Sequence, residues 1–67
     1  MTAQDRAIQA IKVKRKKYPA LSHIQARELC LIDYRYLLKD IQKRKAGFDL
    51  ISHEYEIKST IEKLEEQ

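Results

Sequence analysis

The sequence predicts an all-α protein of three helices, and three observations agree on it. One glycine and one proline occur in 67 residues, and 43% of the chain is hydrophobic, a composition typical of a folded chain. Apolar residues recur at intervals of three and four over long stretches, which is the spacing of a helical face. The two helix breakers, Pro19 and Gly47, divide the chain into three segments. We assign residues 1–67 to one small helical domain.

The first helix is predicted over about residues 3–17. The residue before a proline avoids the helical conformation, so this helix has to end before Pro19. Its apolar side is a compact stripe made by Ala7, Ile8 and Ile11. This stripe gives only thin cover to a neighbouring helix. It is also too small to hold the helix on a membrane surface, since no Trp or Phe accompanies it.

A long central helix is predicted over about residues 22–46. Ser22 and Gln25 have the spacing of a capping box, in which each side chain binds a backbone amide at the helix start. Basic residues in the last turn complement the helix dipole, and Gly47 suits the position that follows a helix end.

The third helix is predicted over about residues 49–66, with Asp49 or Ser52 as its N-cap. About three residues join it to the central helix, so helices 2 and 3 should form an antiparallel αα-hairpin. We expect the core to contain the apolar residues that these two helices turn towards each other. They are Leu31, Tyr34, Leu38, Ile41, Ile57, Ile61 and Leu64.

The central helix is apolar over more than half of its circumference. One side, predicted to lie under the third helix, is made by Ile24, Leu31, Tyr34, Leu38 and Ile41. A second side is predicted to be a protein interface, made by Leu29, Ile32, Arg35 and Tyr36. An ordinary surface helix has one apolar side, so we expect a second copy or a larger partner protein to cover this one. A homodimer would complete a helical bundle, and a self-contained three-helix monomer is the alternative.

The charges are divided along the chain. Residues 1–48 carry twelve Lys or Arg against four Asp or Glu, and residues 49–67 carry two against six. This division predicts a basic pole and an acidic tail. A second basic cluster, expected at the far end of the central helix, contains Lys39, Lys43, Arg44 and Lys45.

The densest basic run lies in the first helix and contains Lys12, Lys14, Arg15, Lys16 and Lys17. A run of this kind suits contacts to the phosphates of DNA or RNA, to an acidic protein or only to solvent. A nucleic-acid-binding protein, for example a small transcriptional regulator, is therefore the alternative function.

The sequence predicts no catalytic site. Cys30, the one cysteine, lies between two leucines and is expected to be a buried, inert thiol. His23 and His53 would lie at opposite ends of the hairpin, too far apart to share a metal ion. A single glycine cannot form a glycine-rich phosphate loop. We expect no enzymatic activity, no metal and no cofactor.

A lone cysteine also indicates a reducing compartment. The first fifteen residues lack the apolar segment of a signal peptide, and no stretch is long enough to span a bilayer. The sequence therefore predicts a cytoplasmic protein without a membrane partner. Its predicted role is that of a small non-enzymatic regulatory protein acting by protein–protein interaction, with itself as a homodimer, with a larger partner, or with both.

Overall fold

The computed structural model contains three α-helices that all pack against one another. It describes residues 1–44 and 48–67, with side chains over 1–44 and 51–67. The helices are α1 (Ala3–Lys17), α2 (His23–Arg44) and α3 (Phe48–Glu66). Within these ranges there is no strand, and the predicted all-α fold is confirmed. Gly47, predicted to follow the central helix, lies outside the described residues.

The first two helices each begin with a capping box. Ser22 Oγ accepts a hydrogen bond from the amide of Gln25 at 3.2 Å, and Gln25 Oε1 accepts one from the amide of Ser22 at 2.9 Å. This confirms the predicted start of the central helix. Thr2 and Asp5 make the same pair of bonds at the start of α1, at 3.1 and 3.3 Å, which the sequence interpretation did not include.

The start of α3 differs from its prediction. Asp49 and Ser52 were the expected N-caps, but α3 begins at Phe48 and both residues lie inside the helix. Asp and Ser favour helix starts because their side chains can bind free backbone amides. Both residue types also occur within helices, so their presence alone does not locate the first residue of a helix.

The core lies where the three helices meet. Its buried hydrophobic residues are Ala7, Ile11, Ala26, Cys30, Leu31, Ile41, Ile57, Ile61 and Leu64, with Tyr34 and Leu38 half-buried against them. The prediction that Ile24 lies under α3 is wrong, because its side chain is exposed. Arg27 Nη1 already meets the carbonyl oxygen of Glu65, in the last turn of α3, at 3.4 Å. Ile24 lies almost a full turn before Arg27 and is therefore beyond the level of this contact.

Two contacts show that α2 and α3 are antiparallel. Arg27, near the start of α2, meets Glu65 near the end of α3. Gln42 Nε2, near the end of α2, donates to Glu54 Oε1, in the first half of α3, at 3.2 Å. The predicted αα-hairpin is therefore confirmed.

All three helices have a terminus at one end of the bundle, which we call the open end. α1 finishes there at Lys17, α2 begins there at His23, and α3 finishes there at Glu66. The side chains of Arg6 and Lys14 hold α1 in place. Arg6 Nε donates to Thr60 Oγ1 of α3 at 3.0 Å, and Lys14 Nζ donates to Asp33 Oδ2 of α2 at 2.7 Å.

The α2–α3 hairpin extends beyond α1 at the end away from the open end. Where Arg6 meets Thr60, α1 has only three more residues before its start at Ala3. From the same contact, α3 continues for twelve residues back to Phe48. At about 1.5 Å per residue, the hairpin projects roughly 13 Å further than α1. We call residues 39–44 and 51–56 the hairpin tip.

Candidate interaction surface

The contacts of α2 show which side of this helix faces solvent. Arg27 and Gln42 reach α3, and Asp33 reaches α1. Successive residues of an α-helix are turned by about 100°, so Ile32 and Tyr36 point away from both neighbours. Their exposed fractions are 59% and 77%. Leu29 and Arg35, the other two predicted interface residues, are exposed on the flanks of the same side.

The contacts of α3 likewise show which side of this helix faces solvent. Glu54 reaches α2, whereas Thr60 faces α1. Around the circumference of α3, Ile51 and Tyr55 lie beyond Glu54 on the side away from α1. They are one helical turn apart and reach the surface. Ile51 is 64% exposed and Tyr55 is 73% exposed. The two residues lie outside the buried stripe of α3, and sequence reasoning did not assign them to an interface.

The exposed residues of the two helices form one surface, the side of the α2–α3 hairpin that faces away from α1. We call it the hairpin face. Its large apolar side chains are Ile32, Tyr36, Ile51 and Tyr55, with Leu29 at the outer edge. The signal for the α3 part is present in the sequence, because Ile51 and Tyr55 are spaced by four residues. This spacing indicates a surface only when the directions of the Glu54 and Thr60 side chains are known.

The charges on the hairpin face are ordered along its length. Towards the tip the exposed side chains are basic: Arg35, Lys39, Lys43 and Lys58. Towards the open end they are acidic: Glu28, Glu62 and Glu65. Lys58 pairs with Glu54 at 3.4 Å, and Glu28 pairs with Arg27 at 2.8 Å. The remaining five make no ion pair with any described side chain.

The basic run of α1 does not form a single surface, because consecutive residues are distributed around the helix. Lys14 turns towards α2, where its hydrogen bond to Asp33 raises the pKa of the lysine above its usual 10.5. Lys17 Nζ lies 5.5 Å from the centre of the Tyr18 ring, a cation–π distance. The exposed residues Lys12, Arg15 and Lys16 have no ion pair within the described part of the chain.

The predicted separation of a basic pole from an acidic tail is wrong in three dimensions. The basic run ends at the open end, and α3 ends there too, with Glu62, Glu65 and Glu66 in its last turns. Charges that are far apart in the sequence are therefore brought to the same end of the bundle. The second basic cluster lies at the tip, where Arg44 pairs with Asp40 at 3.1 Å. Lys45 lies outside the described residues.

Cys30 is buried at the base of an open cavity of about 500 Å³ between α1 and α2. Lys14 and Tyr34 line the same cavity. Burial raises the pKa of the Cys30 thiol, and nearby Lys14 only partly opposes this. The thiol is therefore protonated and poorly reactive at neutral pH.

Neither His53 nor Arg27 lines this cavity. His53 Nδ1 lies 4.0 Å from Glu56, one turn along its own helix. Among the side chains of residues 1–44 and 51–67, no three His, Cys, Asp or Glu are grouped as metal ligands would be. Arg27 Nε is buried without a hydrogen-bond partner, although both of its Nη atoms donate hydrogen bonds.

None of the described helices combines the length and the apolar character needed to cross a bilayer. No protein-family model matches the chain, and neither does any curated protein or solved structure with which it was compared.

Proposed function

We propose that the chain is a small, non-enzymatic regulatory protein that acts by protein–protein interaction through the hairpin face. The observation that carries this proposal is that Ile32, Tyr36, Ile51 and Tyr55, each more than half exposed, lie on one side of two packed helices. Single exposed apolar residues are normal on protein surfaces. Several large exposed apolar side chains on the same side of two helices, with charged residues among them, indicate an interaction site.

The residue types of the hairpin face support a protein partner. Tyr and Arg are enriched among the residues that carry most of the binding energy at interfaces. Tyr36, which offers a large ring and a hydroxyl that can stay in water, is the expected centre of the interaction, with Arg35 beside it. We further propose that the protein acts in the cytoplasm, where a single unpaired thiol such as Cys30 remains reduced.

Site-specific photocrosslinking in the cells that make the protein tests this function. A benzophenone amino acid at position 36 should give a covalent adduct with a protein, whichever protein that is. Position 18 is the matched control, because Tyr18 is also an exposed tyrosine but lies outside the hairpin face. No adduct from position 36, or equal adducts from both positions, would contradict the proposal.

Binding of nucleic acid is a second candidate, and one observation favours it. Lys12, Arg15 and Lys16 are exposed on α1 without an acidic partner among the described side chains, so they are available to phosphates. The acidic end of α3 lies at the same end of the bundle and would repel a polyanion. We therefore rank this candidate second.

A further inference from the structure

We infer that the partner of the hairpin face is a second copy of this chain, packed face to face with the first and antiparallel to it. This inference rests on the proposed function, because it identifies the partner of the surface proposed there. It is carried by the order of charges along the hairpin face, by the agreement of two ion pairs on one symmetry axis, and by the size of the bundle.

The order of charges selects the antiparallel arrangement. The hairpin face is basic towards the tip and acidic towards the open end. A twofold axis that lies in the interface and perpendicular to the helices turns the second copy end for end. The basic tip of each copy then lies over the acidic open end of the other. A twofold axis parallel to the helices would instead place like charges together, which is destabilising.

One axis position satisfies a charge pair on each helix. On α2, Lys39 can meet Glu28 of the second copy, and the midpoint of these positions is close to residues 33–34. On α3, Lys58 can meet Glu62 of the second copy, and their midpoint is residue 60. Interpolation between the Arg27–Glu65 and Gln42–Glu54 contacts places residues 33–34 of α2 beside residue 60 of α3. The two midpoints therefore lie at the same height along the hairpin.

The same axis also covers exposed apolar side chains of α2. The midpoint of positions 32 and 36 is residue 34, which lies close to the axis. Tyr36 of one copy therefore lies over Ile32 of the other. Ile24, whose side chain is exposed in the single chain, lies under the tip of the second copy. In this arrangement the four helices of the two hairpins form the centre of the dimer, and each α1 lies on an outer side.

The size of the bundle allows a dimer interface of standard size. The bundle measures 39 by 21 by 18 Å, and the two longer extents set an upper bound on the area that one side can offer. This upper bound is comparable to the ~800 Å² per partner of a standard interface. A chain of 67 residues also has little core of its own, and small domains often gain stability by self-association.

Sedimentation equilibrium of the full chain between low and high micromolar concentrations tests the inference. We expect the mass to approach twice 8.0 kDa as concentration rises. Lys39→Glu and Glu28→Lys should each weaken the dimer about tenfold or more, because each opposes like charges twice across the axis. The double variant K39E/E28K should restore affinity close to that of the parent chain, because it reverses both charges.

Lys12→Glu is the matched control, because it makes the same charge change on α1, away from the hairpin face, and should leave the dimer unchanged. Circular dichroism of each variant checks that the helices form, which matters for Glu28→Lys because Glu28 also pairs with Arg27. The charge-swap pair Lys58→Glu and Glu62→Lys should repeat the pattern on α3.

The outcomes separate this inference from the proposed function. A chain that remains monomeric at the highest concentration overturns the inference, as does a dimer that neither charge reversal weakens. In the crosslinking experiment, an adduct of twice the chain mass supports it. An adduct with a different protein only would overturn the second copy as partner and leave the proposed function standing. The absence of any adduct from position 36 would overturn both.

Discussion

Arg6 and Thr60 are joined by a hydrogen bond of 3.0 Å from Nε to Oγ1, although 54 positions separate them in the chain. The hydroxyl of Thr60 is buried and also donates to the carbonyl oxygen of Glu56 at 2.7 Å, so it acts as donor and acceptor. Nη1 of Arg6 donates to the carbonyl oxygen of Met1 at 3.0 Å. This polar contact links the start of α1 to α3 at the edge of an apolar core.

Thr60→Val should lower the free energy of unfolding by about 1–2 kcal/mol, because it leaves Arg6 Nε without its acceptor at similar side-chain volume. Urea unfolding followed by circular dichroism gives this value. The control is a double-mutant cycle with Arg6→Met. In the Arg6→Met background, Thr60→Val should lower the free energy of unfolding by clearly less. An equal decrease in both backgrounds would show that the Arg6–Thr60 bond contributes nothing.

The Lys14–Asp33 pair should stabilise the fold in a pH-dependent way. The pKa of Lys14 is raised in the folded chain, so the contribution of the pair is complete below pH 10.5 and is lost as pH rises through the raised value. We expect Asp33→Asn to cost about 0.5 kcal/mol at pH 7 and nothing once Lys14 is deprotonated. The comparison is made in a Cys30→Ala background, because the neighbouring thiolate also raises the pKa of Lys14.

Asp40→Asn is the control for this pH dependence. Asp40 pairs with Arg44 at 3.1 Å, and arginine keeps its charge over the whole range. The cost of Asp40→Asn should therefore stay constant between pH 7 and 12. A cost of Asp33→Asn that also stays constant would contradict a role for the charge of Lys14.

If α1 binds nucleic acid, affinity for random-sequence duplex DNA should fall steeply with salt. Replacing Lys12, Arg15 and Lys16 by Gln should then reduce the slope of log affinity against log salt by about 2–3. The matched triple variant replaces Arg35, Lys39 and Lys43, removing the same charge from the hairpin face, and should keep the slope. Fluorescence anisotropy at low and physiological salt measures both, and no binding at low salt would remove this candidate.

The features that the sequence predicted correctly are local or depend on a short connection. The start of α2 follows from Ser22 and Gln25, which bind each other's backbone amides three residues apart. The end of α1 before Pro19 follows from the restricted backbone at that position. The antiparallel hairpin follows from the short link between α2 and α3, which leaves little choice of direction.

The features that the sequence did not predict depend on how far one helix extends beside another. Ile24 has the spacing of a core residue, but it is exposed and lies beyond the level at which Arg27 meets Glu65. Ile51 and Tyr55 belong to the candidate surface only because α1 packs on the opposite side of the hairpin. The Arg6–Thr60 contact depends on how α1 and α3, which are not consecutive in the sequence, are positioned along their axes relative to each other. The periodicity of the sequence predicts on which side of a helix a residue lies. It does not predict where along the helix axis that residue lies relative to the neighbouring helices.

The extension of the hairpin beyond α1 has a consequence for amide hydrogen exchange. Residues 26–34 of α2 lie under both other helices, so their amides should exchange only when the whole bundle unfolds. At the tip, residues 39–44 and 51–56 have one neighbouring helix and can separate without opening the Ala7–Ile11–Leu64 centre of the core. Fast exchange is thus expected at the tip, where Lys39 and Lys43 of the hairpin face lie, so ordering of the tip on association would slow exchange there first.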